Sequence, residues 1–155
     1  MNILSVVTSV AVIFIDQVLK FFSRSNFKYS ESFSLIDGLL NFVYLENRGA
    51  AFGIFKNARW FFVVLNTIML VVFVVFVFKK ALNSIILSLS TALVVGGGVS
   101  NLIDRICFGY VIDYLELSFF PPVCNFADYC ISVGAVLFII YFLFSRNKLV
   151  AKGII

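Results

Sequence analysis

Apolar side chains fill four long stretches of the chain, and the short segments between them carry most of the polar residues. The stretches cover about residues 3–22, 60–78, 85–104 and 126–144. Because a helix needs about 20 apolar residues to cross the hydrocarbon of a bilayer, each stretch is long enough for one span. The pattern predicts an all-α membrane protein with four transmembrane helices, in which residues 1–155 form a single integral membrane domain.

The segment between the first two spans, residues 23–58, is polar and of mixed charge. Its Asp37-Gly38 pair separates two apolar stretches, an arrangement typical of a β-hairpin turn. We therefore expect a small sheet at the membrane interface in this segment. Near residues 49–55 we expect a short apolar piece that lies on the membrane.

The third span and the connection after it have a different character. Gly96, Gly97 and Gly98 are small residues that let another helix approach the third span closely. In the connection, residues 106–123, apolar and polar positions alternate, which indicates extended backbone. The Pro121-Pro122 pair excludes a helix at the end of that connection.

Composition supports the membrane prediction and limits the partners. Hydrophobic residues make up 62% of the chain, 20 residues are Phe, and the mean hydropathy is +1.08. A soluble domain of this length could not bury so much apolar surface. The net charge of +4 comes from Lys and Arg scattered between the spans. We therefore expect membrane lipids with anionic headgroups as partners and no nucleic acid.

The orientation of the chain is only partly readable from its charges. Four spans put both termini on the same side as the Lys79-Lys80 turn. That turn and the basic tail after the fourth span favour the cytoplasmic side, where Lys and Arg are enriched. The segment 23–58 also carries four Lys and Arg residues, so the charge count alone does not decide between the two orientations.

Polar residues gather at one end of the predicted bundle. The four-span topology brings the end of the first span, the end of the third and the start of the fourth to one membrane face. These segments and their connection carry Asp16, Lys20, Asn101, Arg105, Asp113, Asn125 and Asp128. Charged groups in so apolar a setting are costly unless they are paired or used, so we expect a functional site at this face.

Asp113 and Asp128 are the carboxylates best suited to act on a substrate. Two carboxylates at a partly dry interface cannot both ionise easily, so one keeps a proton while the other acts as a base. Such a pair activates water and protonates a peptide leaving group, which is the chemistry of aspartic peptide hydrolysis. The chain has no histidine, and this reaction needs neither a metal nor a cofactor, so we expect none.

Structural roles compete with these functional ones. Asp16 and Lys20 lie one helical turn apart and could form a simple ion pair, with Lys20 reaching toward the membrane surface. Asp128 follows Asn125 at the spacing of a helix capping box. Asp104 stands beside Arg105 in the sequence and could pair with it.

Three further alternatives stay open. Asn47 stands in a glycine-containing turn, where asparagine is common for reasons of turn geometry. Cys107 and Cys124 could form a disulfide if their connection faces an oxidising compartment. The polar cluster could also serve a small transporter or channel subunit as an ion relay, although its charges crowd one end of the spans and no internal repeat is visible.

Five sequence motifs resemble those of bacterial lipoprotein signal peptidase, signal peptidase II, in order and in spacing. They are Asp16-Gln-Val-Leu-Lys20, Asn47-Arg-Gly-Ala-Ala-Phe-Gly53, Gly96-Gly-Gly-Val-Ser-Asn-Leu-Ile-Asp-Arg105, Gly109-Tyr-Val-Ile-Asp-Tyr114 and Asn125-Phe-Ala-Asp128. The resemblance covers nearly the whole chain. It implies an aspartic endopeptidase of the bacterial inner membrane that cuts prolipoproteins on the N-terminal side of their diacylglyceryl-modified cysteine.

The resemblance also implies roles for individual residues. Asp113 and Asp128 would be the catalytic pair, near the extracytoplasmic face. Residues that support the pair or contact the substrate and the inhibitor globomycin would be Asp16, Lys20, Asn47, Gly49, Asn101, Arg105 and Asn125. Both termini would be cytoplasmic, and the segment 23–58 would form an extracytoplasmic sheet and a short interfacial helix. Glu46 and Arg48 depart from the small polar residues that the family often has beside Asn47.

Overall fold

Four long helices form the body of the protein in a computed structural model that describes residues 3–28, 32–49, 58–78 and 84–151. The helices are α1 (Ile3–Phe27), α2 (Arg59–Phe78), α3 (Ile85–Cys107) and α4 (Phe126–Ala151). Each is long and apolar enough to cross a membrane. The predicted architecture of four membrane-spanning helices with a small sheet is confirmed. The assignment of residues 1–155 to a single domain stays a prediction.

The bundle exposes hydrocarbon and buries polar groups, as a protein surrounded by lipid does. Large apolar side chains such as Phe14, Trp60 and Phe144 are each more than 60% exposed on its outside. The central helix α3 packs against the other three helices. Most of the polar side chains of α1 and α3 are buried, and several of them, such as Ser9 and Lys20, bond from α1 to α3.

Two glycines of α3 bring its neighbours close. A Cβ atom on Gly96 would lie 2.9 Å from the backbone oxygen of Ser9, and one on Gly97 would lie 2.5 Å from that of Ala127. These separations leave no room for a methyl group, so α1 and α4 approach α3 here as the glycines predicted. Hydrogen bonds reinforce the contact with α1, since Ser9 Oγ donates to the carbonyl oxygen of Ala92 at 3.1 Å.

The connections after α1 and after α3 together form a four-stranded antiparallel sheet. Its strands are β1 (Phe33–Ile36), β2 (Leu40–Asn47), β3 (Val111–Leu117) and β4 (Phe120–Cys124), in that spatial order. The predicted hairpin turn at Asp37-Gly38 is present, and Gly38 has the positive φ of 71° that favours glycine.

The sheet is larger than the sequence pattern indicated. We expected it within residues 23–58, but the connection 106–123 supplies half of the strands. Strands β2 and β3 pair so that Leu45 lies opposite Asp113 and Asn47 opposite Val111. This pairing joins the segment after α1 to the segment after α3, and it fixes where Asp113 lies.

Two expectations fall outside the part of the chain that the structure describes. They are the short interfacial helix expected near residues 49–55, of which the structure describes only Gly49, and the basic turn at Lys79-Lys80. Helix α1 continues to Phe27, past the predicted end at residue 22, so its last turns reach the level of the sheet.

Candidate active site

Asn125 holds Asp113 and Asp128 together. Asp113 lies on β3, and Asp128 lies in the first turn of α4. The Asn125 side chain donates from Nδ2 to Asp113 Oδ1 at 2.6 Å. The Asn125 backbone N–H donates to Asp128 Oδ2 at 3.2 Å. The two predicted carboxylates therefore meet at the short link between β4 and α4.

The second oxygen of each carboxylate accepts a hydrogen bond from another amide. Asn47 Nδ2 donates to Asp113 Oδ2 at 2.9 Å, and Asn101 Nδ2 donates to Asp128 Oδ1 at 2.8 Å. Neutral amides orient carboxylates without the strong preference for the ionised form that a bound cation would impose. The arrangement fixes the positions of both acids and leaves them able to exchange protons.

Burial and mutual repulsion disfavour the charged form of Asp113. Its side chain is only 1% exposed. Burial first, and then the nearby charge of Asp128, raise the pKa of Asp113 to about 7, although the bonds from Asn47 and Asn125 act in the opposite direction. Asp113 therefore keeps its proton below about pH 7, well above the pH at which an ordinary aspartate ionises.

The capping alternative for Asp128 is confirmed and does not compete with the site. The backbone N–H of Asp128 donates to Asn125 Oδ1 at 2.9 Å, and Asp128 Oδ2 accepts from the backbone N–H of Asn125. This reciprocal pair is a capping box at the start of α4. It uses one carboxylate oxygen of Asp128 and leaves the other for Asn101.

A buried ion cluster lies directly beneath the acids. Lys20 is 1% exposed, and its Nζ lies 2.7 Å from Asp16 Oδ2 and 3.0 Å from Asp104 Oδ2. Lys20 Nζ also donates to Asn101 Oδ1 at 2.8 Å, which turns the amide nitrogen of Asn101 toward Asp128. Lys20 therefore does not reach for the membrane surface, and the cluster joins α1 to α3 below the acids.

The two carboxylates of this cluster are fully satisfied by hydrogen bonds. Asp16 accepts from Ser100 Oγ at 2.6 Å, from Tyr114 OH at 3.0 Å and from the backbone N–H of Ala127 at 3.1 Å. Asp104 accepts from Gln17 at 2.9 Å and from the backbone N–H of Ile112 at 3.0 Å. Since the donors lie on α1, α3, β3 and α4, the cluster fixes these four elements relative to one another.

The alternative in which Asp104 pairs with Arg105 is wrong. Consecutive residues of a helix point in different directions, and Asp104 turns inward to Lys20. Among the described residues Arg105 forms no ion pair. Its guanidinium lies over the ring of Phe62, 5.3 Å from the centroid.

A cavity of about 240 Å³ reaches Asp128 from the side of α2. Its lining residues are Phe62, Leu65, Asn66, Met69, Asn101, Arg105, Asp128 and Ile131. The cavity thus combines an apolar wall with one carboxylate, one cation and two amides. This combination suits an extended peptide, which has apolar side chains and a polar backbone.

Asn47 and Gly49 keep the turn role that the sequence left open. The backbone N–H of Gly49 donates to Asn47 Oδ1 at 3.2 Å, a local bond typical of asparagine turns. Because that bond uses the oxygen of the amide, the nitrogen faces Asp113. The neighbouring Arg48 binds Glu46 at 2.6 Å at the surface.

The three cysteines are free, so the alternative of a Cys107–Cys124 disulfide is wrong. Cys107 is exposed at the end of α3, and Cys124 is half-buried at the end of β4. Burial, together with the charges of Asp128 and Asp113, raises the pKa of Cys124 to about 11. Its thiol therefore stays protonated at neutral pH.

Comparison with known proteins identifies the family. The model of the family described as signal peptidase (SPase) II matches residues 8–144. The chain belongs to the signal peptidase II family. The lipoprotein signal peptidase of Halothermothrix orenii is 42% identical over 130 residues, which are 84% of this chain and 88% of that protein. The lipoprotein signal peptidase of Lactobacillus gasseri is 37% identical over 148 residues, covering 95% of this chain and 96% of that one.

Solved structures agree with this assignment. One bacterial membrane enzyme, solved by the in meso method, superposes with a TM-score of 0.85 at 31% identity, covering 93% of this chain and 90% of its own. Another superposes with a TM-score of 0.82 at 32% identity, covering 90% of this chain and 92% of its own. Membership of a peptidase family also disfavours the transporter hypothesis.

Sequence reasoning missed several residues of the site in this family member. Asp104 belongs to the ion cluster, and Gln17, Ser100 and Tyr114 donate hydrogen bonds to its carboxylates. None of these four was singled out as a site residue. Gln17 and Ser100 are polar residues inside apolar spans, which is a usable signal. Tyr114 gave none, because an aromatic residue in a strand is ordinary.

Proposed function

We propose that the chain is an intramembrane aspartic endopeptidase that removes signal peptides from prolipoproteins. It cuts on the N-terminal side of the cysteine that carries the diacylglyceryl group. The observation that carries this proposal is the joint hold of Asn125 on Asp113 and Asp128. The names of the relatives support the substrate class, since they are called lipoprotein signal peptidases.

The two carboxylates divide the chemistry between them. Asp128 takes a proton from a water molecule, and the oxygen of that water attacks the carbonyl carbon of the scissile peptide bond. Asp113, which holds a proton because its pKa is raised to about 7, gives it to the carbonyl oxygen. When the tetrahedral intermediate collapses, the proton on Asp128 moves to the leaving nitrogen and the C–N bond breaks. Asp113 regains its proton as the new carboxyl group forms.

The remaining residues position these acids or receive the substrate. Asn47, Asn101 and Asn125 orient the carboxylates through the four amide hydrogen bonds described above. Asp16 and Lys20 act indirectly, because their cluster sets the orientation of the Asn101 amide, which in turn orients Asp128. Gly49 fixes the turn of Asn47. Arg105 contacts a substrate carbonyl, or the inhibitor globomycin, from the wall of the cavity.

The enzyme acts in the bacterial inner membrane with both termini in the cytoplasm. The sheet, the end of α1 and the start of α4 then lie at the extracytoplasmic face, where a translocated prolipoprotein presents its cleavage site. Helices that match the bilayer by length and composition support a location within the membrane. Membrane lipids would surround the exposed apolar side chains.

The test is cleavage by purified protein in lipid nanodiscs. A diacylglyceryl-modified prolipoprotein should show the size shift of signal-peptide loss, and globomycin should abolish it. Asp113→Asn and Asp128→Asn should each reduce turnover at least about 1,000-fold, because neither half of the pair performs both proton transfers. Asp37→Asn is the matched control, since it removes an exposed carboxylate from the β1–β2 turn. Full activity in either dyad variant would refute the assignment.

A further inference from the structure

Asn66 is an amide in the middle of an apolar helix. In α2 the side chains between Trp60 and Phe78 are apolar except for Asn66 and Thr67. The hydroxyl group of Thr67 bonds within its own helix, since Oγ1 donates to the carbonyl oxygen of Val63 at 2.7 Å. Asn66 reaches across to α3 instead, where its Nδ2 donates to the carbonyl oxygen of Gly98 at 3.1 Å.

This bond sets the orientation of the Asn66 amide. A carbonyl oxygen accepts hydrogen bonds only, so the nitrogen must face Gly98 and the oxygen must face away from it. Leu70, one turn further along α2, packs against Gly98, where a Cβ atom would lie 2.6 Å from Leu70 Cδ2. Within the described part of the chain, Asn66 Oδ1 accepts no hydrogen bond. A strong acceptor is therefore left over in an apolar setting.

Asn66 lines two adjoining spaces. One is the cavity of about 240 Å³ that contains Asp128 and Arg105. The other is a groove of about 440 Å³ between α2, α3 and α4, whose lining is otherwise almost entirely apolar, with residues such as Phe73 and Phe138. Met69 and Ile131 also line both spaces. Asn66 thus lies where the apolar groove meets the polar site.

A signal peptide approaching the acids through the groove needs such an acceptor. A peptide bond is cut only when its segment is extended, and an unwound segment loses the hydrogen bonds of its helix. In hydrocarbon an unpartnered backbone N–H is costly. The groove offers few polar atoms to replace the lost bonds.

We propose that Asn66 Oδ1 accepts a hydrogen bond from a backbone N–H of the signal peptide, on the N-terminal side of the scissile bond. Asn66 is then a substrate-binding residue that recognises an unwound peptide backbone, and it takes no part in the proton transfers. This inference rests on the peptidase function proposed above.

The experiment combines a variant with a modified substrate. Asn66→Leu keeps the size of the side chain and removes both polar atoms, while Thr67→Val removes the neighbouring hydroxyl as a control. With a lipid-modified substrate in nanodiscs, Asn66→Leu should raise KM about tenfold with little change in kcat, since the lost bond exists before the chemical step. Thr67→Val should leave both constants unchanged.

A substrate series separates recognition from a structural role. Single amides on the signal-peptide side are replaced by esters, which lack the N–H group. One such replacement should raise the wild-type KM about tenfold and have no effect in Asn66→Leu, because the partner is already gone. Asn66→Ala gives the same comparison if Asn66→Leu does not fold, since it also removes both polar atoms.

The outcomes keep the two proposals apart. An unchanged KM in Asn66→Leu, or equal sensitivity of both enzymes to every ester, overturns the role of Asn66 while leaving the peptidase function intact. Failure of the wild type to cleave any amide substrate overturns the peptidase function itself.

Discussion

The substitution Asp113→Asn should remove activity and also stabilise the fold in a pH-dependent way. The cause is the pKa of Asp113, which burial and Asp128 raise from the ordinary value of 3.8 to about 7. In the unfolded state the carboxyl ionises above pH 3.8, whereas in the folded state it resists ionisation until about pH 7. Wild-type stability is therefore complete at low pH and falls as the pH rises between these two values.

The size of the effect follows from the shift. One pKa unit corresponds to about 1.4 kcal/mol, so ionisation of Asp113 costs the wild type about 4 kcal/mol at pH 8 and about 2 kcal/mol at pH 5. Asparagine avoids this cost at both pH values. It has only one oxygen to accept from Asn47 and Asn125, so one buried amide loses its acceptor, at about 1–3 kcal/mol. The net gain should be about 2 kcal/mol at pH 8 and close to zero at pH 5.

The assay is reversible unfolding of wild type and variant in the same nanodiscs at pH 5 and pH 8, followed by circular dichroism. The informative quantity is the change in their difference between the two pH values, about 2–3 kcal/mol, because the cost of the lost hydrogen bond cancels from it. Asp37→Asn, at an exposed site, should show no such change. If the difference between wild type and Asp113→Asn were the same at both pH values, Asp113 would be ionised in the folded protein, and the proposed division of roles would be wrong.

Three further predictions concern the site and its surroundings. Peptidase activity should fall as the pH rises through about 7, where Asp113 loses its proton, and a pH–rate profile of kcat/KM that stays flat to pH 9 would contradict this. Lys20→Met should destabilise the fold by about 3–5 kcal/mol, because Asp16 and Asp104 would lose their only cation among the described residues. Lys28→Met, which removes an ion pair at the surface, should cost less than about 1 kcal/mol in the same unfolding assay. Cys107→Ser and Cys124→Ser should keep wild-type turnover, since both thiols are free, and loss of turnover in either variant would count against this.

The helices could be predicted from the sequence because lipid imposes a simple requirement. A span must be apolar for about 20 residues, and that requirement is visible in any window of the chain. The capping box of Asn125 and Asp128 was predictable for a similar reason, since both partners lie within one turn.

Contacts between distant elements were harder to predict. The partner of Asp104 depends on how α3 is rotated against α1, and close packing at Gly96 sets that rotation. The sequence around Asp104 shows that the residue is charged, but it does not show which helix its side chain faces. Strands β3 and β4 were visible only as an indication of extended backbone, because their pairing with β2 joins segments far apart in the sequence.

Helix α4 passes close to α3 at Gly97, one helical turn before Asn101. A methyl group at this position would overlap the carbonyl oxygen of Ala127, and a backbone atom cannot swing aside as the tip of a side chain can. Because Gly97 has no Cβ atom, α4 lies close enough to α3 for Asn101 to donate to the carboxylate of Asp128. An alanine at this position would push the first turn of α4 away from α3, and it would disturb the site without removing any residue that lines it.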